Sequence, residues 1–166
     1  KLSELWDEQV VIDNRPSAGG TIALQMLSSA QPDGYTLLTH SSGYAIAPAM
    51  YPKLKLDMLR DFQAITPLVA SPHVIVVSPQ LGPKTLAEFI ELARARGDRL
   101  LYASGGIASS THLVSEKLKM RAGLKMTHVP FRGTPEAITE VLAMRSHVLF
   151  APLGPAIPFI RDNRLL

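Results

Sequence analysis

A chain of 166 residues with 46% hydrophobic and 19% charged residues can bury a core and is too apolar for a disordered tail. Its formal charge of +3 comes from scattered basic residues, and aromatics make up only 6%; this excludes the basic stripe or stacking platform of a nucleic-acid binder, and leaves a weak preference for anions. The absence of cysteine excludes disulfides, thiolate nucleophiles and cysteine-type zinc sites, and no apolar run reaches the ~20 residues that cross a bilayer.

Lys1 to Trp6 reads as the tail of a helix, with no signal-peptide pattern. The last residues, RDNRLL, stop as an apolar run begins, so both ends read as cut. Val10, Val11 and Ile12 form a β-branched run that predicts a strand. DNRPSAGGT then supplies turn formers, and Thr21 to Ser29 predicts a helix closed by QPDGY. The pattern repeats: Tyr35 to Thr39 predicts a strand, HSSG breaks it, and Tyr44 to Met50 a short helix or turn. Ile65 to Ala70 and His73 to Val77 are β-rich segments split by Ser71-Pro72.

From Ser78 onward the helix signals sharpen. In GPKTLAEFIELARARG, Thr85 is an N-cap, Glu88 completes a capping box and Gly97 is a stop. LLYAS predicts a strand that ends in SGGIASST, and a helix follows from about Ser110 to Met120. Met126 to Val129 predicts a strand. PFRGTPEAITEVLAM predicts a helix with Thr134 as N-cap and Pro135 at the first helical position. His147 to Phe150 predicts a strand, APLGPA a loop and IPFIRDN a final helix. Met26, Met120 and Met144 read as core filler. Glu88, Glu91, Glu116, Glu136 and Glu140 read as solvated helix faces, and Asp13 as a turn cap.

Alternating strands and helices imply an α/β fold with mainly parallel sheets, which bind ligands at the carboxyl ends of their strands. Small-residue loops fall at those ends: Ser17 to Thr21, Ser41 to Gly43, Ser104 to Thr111 and Ala151 to Gly154. A helix start leaves backbone N–H groups unpaired and partly positive. Glycines allow close approach, and the hydroxyls of Ser109, Ser110 and Thr111 add uncharged donors. Any one such loop is explained by ordinary capping and turning. Several at one edge point to a shared polar cleft for an anion. No phosphate-binding glycine fingerprint is present, so carboxylate is favoured over phosphate. None of the five histidines pairs with another at metal-ligand spacing. His112 follows the serine cluster, so Ser109 or Ser110 with His112 is a hydrolase or transferase alternative, although no nucleophile elbow accompanies it. The bland alternative is that His112 stacks on, or hydrogen-bonds to, its own loop.

VVIDNRPSAGGTIA resembles the V-[ED]-N-R-P-G-A-G-G signature of the Bug-type periplasmic solute receptors of tripartite tricarboxylate transporters. The resemblance continues through PDGYTLL, SSGYAIAPAMYPKL, RDFQAITPL, LAEFIELARAR, YASGGIASSTHLVSE and HVPFRGTPEA. It implies a type II periplasmic binding fold, α/β, with two lobes, mainly parallel sheets and an incomplete first lobe. Residues 1–77 would be part of the first lobe, and residues 78–166 the second. The implied activity is binding, not catalysis, with no cofactor. A small carboxylate would sit in the interlobe cleft of a periplasmic receptor that engages the membrane components of the transporter without entering the membrane itself.

Ser41, Ser42 and Gly43 match the family's first-lobe loop. Ser104, Gly105, Gly106, Ser109, Ser110, Thr111 and His112 match its second-lobe loop and helix start. Ala151 stands where the family often has Asp, which turns the expectation away from amino-acid ligands. Ser17 replaces a usual Gly, and Ile107-Ala108 a frequent Asn-Gly, which makes the pocket more apolar. Family members are roughly twice as long, so a cleft wall is missing from this stretch and weak affinity is expected. The effector-sensing domain of a regulator is a further alternative that shares the fold.

Overall fold

The structure, a computed structural model, describes every residue except Ser17. Its sheet has four strands: β1 (His73–Val77), β2 (Leu101–Ser104), β3 (Thr127–Pro130) and β4 (Val148–Pro152), in the order β1-β4-β2-β3. β2 runs parallel to both β3 and β4. β1 is antiparallel to β4, with His73 opposite Pro152 and Val77 opposite Val148. The expected parallel core is therefore present with an antiparallel edge. The sheet gathers β1 with residues 101–152, ahead of the 77/78 division.

Alternation along each strand sends neighbouring side chains to opposite faces. Val76, Ala103, Leu149 and Ala151 form one core with α6 (Thr134–Leu142) and α7 (Leu153–Arg161). Val77, Tyr102 and Val148 form the other with α4 (Leu86–Arg96) and the buried Leu100, Leu124 and Met126. The Thr85 hydroxyl accepts the Glu88 amide at 3.2 Å, and Gly97 ends α4 with φ 55°. α5 (Ser110–Ala122) is capped by Ser109 and stopped by Gly123, which carries φ 62°. In α6 the cap is Gly133, one residue before the expected Thr134, and no side chain caps it. Pro135 thus lies at the second helical position. The expected loop at APLGPA is mostly helix, because α7 begins at Leu153.

The first half folds differently from expectation. It holds α1 (Leu2–Trp6), α2 (Thr21–Ser28), a 3-10 turn at Ser42–Ile46 and α3 (Ala47–Met50). Among the described residues no strand forms at 10–12, 35–39 or 65–70. A β-rich run becomes a strand only where a neighbour satisfies its backbone groups. Here the runs are left open, with Ile12, Tyr35 and Val69 all more than 80% exposed. Of the expected filler methionines, Met120 is 83% exposed and Met26 is also exposed; only Met144 packs against the core. Met26 and Met120 sit on the outward faces of their helices, where a thioether has nothing to fill. Among the described residues, no helix is long and apolar enough to cross a membrane.

Candidate functional site

The carboxyl end of β2 turns through Gly105 to Ser109 into α5, and this turn meets the first half of the chain. A Cβ placed on Gly43 would stand 2.8 Å from the Ala108 carbonyl oxygen and 3.7 Å from Ser109 Cα. One placed on Gly19 would run into the Ile107 carbonyl oxygen, and one on Gly106 would come 3.5 Å from the Gly19 nitrogen. The Tyr51 hydroxyl donates to the Ile107 carbonyl at 3.3 Å. Two helix starts, those of α2 and α5, thus converge on one place. Gly19 has φ 65° and Gly20 φ 86°, backbone that glycine adopts without cost. Ala108 holds φ 68° with a side chain, so this turn is made under strain.

Of the expected loops, Ser41 to Gly43 and Ser104 to Thr111 are brought together, along with Gly19 to Thr21. Ser17 lies outside the described residues. Ser41 and Ser42 are exposed, and Gly43 is buried against the second half. Ser109 and Ser110 are half-buried at the start of α5. Ser104, Gly106 and Thr111 are buried and serve the loop from inside. Gly105 N–H donates to Thr111 Oγ1 at 2.8 Å, and Gly106 N–H donates to Ser104 Oγ at 3.1 Å. Ser109 Oγ donates to the Gly106 carbonyl at 2.7 Å and accepts the His112 amide at 3.3 Å. The Gly105 and Gly106 amides are thus bonded within the loop. The Ser110 and Thr111 amides lie in the first turn of α5, where no intrahelical acceptor is available. Ala151, beside this loop in the register of β2 and β4, is fully buried among Val76, Leu149 and Ala156.

His112 does not engage either serine hydroxyl through its ring. Its Nδ1 accepts the Ala108 amide at 3.3 Å, and its ring stacks on His128 with centroids 4.2 Å apart. Ser110 Oγ instead meets His73 Nε2 at 3.2 Å. A nucleophile needs its base within hydrogen-bond reach, so the alternative using Ser109 or Ser110 with His112 is not favoured.

Beneath the loop lies a group that the sequence did not disclose. Tyr102 of β2 and His128 of β3 stack at 4.7 Å, and the Tyr102 hydroxyl donates to the Glu116 carboxylate. Lys119 Nζ bonds the same carboxylate at 2.7 Å and stands 5.1 Å from the Tyr102 ring centre. Glu116 is therefore no solvated face. Burial pushes its carboxyl up, but the bonds from Lys119 and Tyr102 outweigh this and hold it below the usual range. Burial, with Glu116 beside it, raises the Tyr102 hydroxyl. Burial likewise lowers His112, and burial with His112 alongside pushes His128 down to about 4. The i,i+3 spacing of Glu116 and Lys119 was the one signal of this cluster visible in sequence. Among the described residues, no three His, Cys, Asp or Glu side chains are placed so that they could hold a metal ion.

The whole chain, residues 1–166, matches the family model described as "Tripartite tricarboxylate transporter family receptor". A UPF0065 protein of Bordetella bronchiseptica is 32% identical over 166 residues, covering 99% of this chain and 49% of that protein. The periplasmic binding protein BugD superposes with TM-score 0.93 at 26% identity, covering 99% of this chain and 55% of that one. MatC from Rhodopseudomonas palustris with bound malate gives 0.92 at 27%, covering 99% and 56%. A second R. palustris protein, with adipate, gives 0.89 at 26%, covering 99% and 55%. The chain spans about half the length of the relatives it matches. Its α/β fold is that of periplasmic binding proteins, and the chain belongs to the receptor family of the tripartite tricarboxylate transporters.

Proposed function

We propose that this chain is part of a periplasmic solute receptor that binds a small carboxylate and presents it to the membrane components of a tripartite tricarboxylate transporter. In this reading residues 1–77 belong to an incomplete first lobe, whose last strand β1 crosses into the sheet of the second lobe, residues 78–166, and the acid lies in the cleft between them. Closure of the lobes buries the anion, and the membrane partner recognises the closed form.

The observation that carries this reading is the convergence of the α2 and α5 starts at Gly19, Gly43 and Ala108. Each start presents partial positive charge, and the Ser41 hydroxyl lies beside Gly43 at the junction. Uncharged donors of this kind replace the water around a carboxylate. The related proteins solved with malate and adipate support the same ligand class. Ile107, exposed on the loop, adds an apolar surface suited to a ligand with a hydrocarbon spacer.

Titration of the 15N-labelled chain with malate and with adipate tests this. Binding is expected to be weak, because the chain spans about half of its relatives' length. Amide shifts are expected at Ile107, Ser110, Thr111 and Ser41 to Gly43. Shifts spread over surface lysines and arginines, with none in these two loops, would overturn the reading.

A further inference from the structure

We propose that His128 is a positioning residue for the loop that opens α5: its Nε2 accepts the proton of the Ser104 hydroxyl, and the hydroxyl oxygen in turn fixes the Gly106 amide. The inference rests on the reading above, in which this loop holds the anion.

Ser104 has one hydroxyl proton and two candidate acceptors. His128 Nε2 lies at 2.6 Å and the Gly106 carbonyl at 3.2 Å. The shorter contact takes the proton if Nε2 is bare. The oxygen is then an acceptor for Gly106 N–H at 3.1 Å. A continuous relay results, running from the Gly106 amide through Ser104 to the imidazole. Ser104 is fully buried, so no water competes for these bonds.

The relay matters because of where Gly106 sits. Its φ of 118° is available only to glycine, and it lies against the Phe131 carbonyl and the Gly19 nitrogen. Displacing it displaces the turn on which the first half rests.

Every charged or titratable group facing His128 bears on its protonation. Tyr102 comes from β2, and His112, Glu116 and Lys119 come from α5. Lys119 and a protonated His112 repel a second positive charge, while Glu116 attracts it but is already committed to Lys119 and Tyr102. Burial adds to the cost of charging the ring, and the neutral, accepting form is held down to about pH 4. Once protonated, Nε2 becomes a donor. The Ser104 proton must then turn to the Gly106 carbonyl, which already accepts from Ser109.

The test uses the 15N-labelled chain without ligand, as wild type, Ser104→Ala, His128→Leu and His128→Gln. At neutral pH the His128 ring is expected to carry its proton on Nδ1, with Nε2 bare. On acidification the Gly106 amide is expected to titrate with the midpoint of the His128 ring. His128→Leu and Ser104→Ala are expected to speed Gly106 amide exchange at least tenfold, and His128→Gln, which keeps an acceptor, to restore slow exchange. A protonated Nε2 at neutral pH, or a Gly106 amide that titrates independently of His128, overturns the proposal. Both of these are read on wild type, so a variant that fails to fold does not block the decision. Malate added to the same samples separates the two readings. Loss of the loop response to malate in wild type removes the carboxylate reading while the tautomer and titration data still decide the relay.

Discussion

His112 and His128, on a helix and a strand, stack with ring centroids 4.2 Å apart and planes 13° from parallel. Two imidazoles this close cannot both be charged cheaply, and burial disfavours charge on either. An unfolded histidine takes up its proton near pH 6.5, whereas folded His128 does so only near 4. Between these values the unfolded state binds more protons, so stability falls as pH drops through this window and is flat above it. His73, His112 and His147, all lowered first of all by burial, act in the same direction. Melting temperature is expected to decline from pH 6.5 toward 4, and His128→Gln to flatten the slope. A pH scan by calorimetry, with equal slopes in both proteins, would contradict this.

The glycines at the junction divide by what surrounds them. Gly19→Ala is expected to cost about 2–4 kcal/mol, from left-handed strain plus overlap with the Ile107 carbonyl. Gly43→Ala adds overlap alone, against the Ala108 carbonyl, and about 1–3 kcal/mol is expected. Gly34→Ala, at φ 85° with open space around it, is the control and costs only the strain, about 1–2 kcal/mol. Urea denaturation of the three variants gives the order. A Gly19 variant no worse than the Gly34 variant would show that the two halves do not touch there in solution.

Thr111→Val keeps shape and removes the oxygen that accepts the Gly105 amide and meets Ser109. The site is buried, so an unsatisfied N–H is left behind, at about 1–3 kcal/mol. Hydrogen exchange at Gly105 is expected to accelerate, while exchange in β4 changes only with global stability. Unchanged protection at Gly105 would mean that another group supplies the bond.

Tyr102→Phe deletes the hydroxyl that donates to Glu116. The carboxylate keeps Lys119 but loses a charge-assisted bond from a buried donor, expected to cost about 1.5–3 kcal/mol. The Glu116 carboxyl is expected to titrate at higher pH, because one of the bonds holding it down is gone. A carbon-detected titration of the Glu116 carboxyl measures this, and an unmoved midpoint would assign its shift to Lys119 alone.

Where local pattern and tertiary environment agree, the sequence was legible. The Thr85–Glu88 box, the Gly97 and Gly123 stops and the β-branched run at His73 to Val77 each specify their element within a few residues. The small-residue loop after Leu101–Ser104 was legible as the start of a helix at a strand end. Val10 to Ile12 and Ile65 to Ala70 carry the same β signal, but a strand is a property of a pair, and among the described residues neither run is paired. The ring stack is not legible in sequence because His112 and His128 meet only when α5 packs over β2 and β3. The setting of Glu116 is hidden for the same reason: its i+3 partner is on its own helix, but Tyr102 reaches it from the sheet. Which glycine amides are bonded within the loop depends on side chains up to six residues away, as with Gly105 and Thr111, and no spacing rule states it.

The open runs of the first half have a colloidal consequence. Ile12, Leu68 and Val69 are exposed in runs that form no strand among the described residues. Such unpaired backbone is a template for another chain, a tendency that Asp13, Pro16 and Pro67 oppose locally. At high concentration this half would be the nucleus of precipitation, and the well-packed sheet would be carried into the deposit still folded.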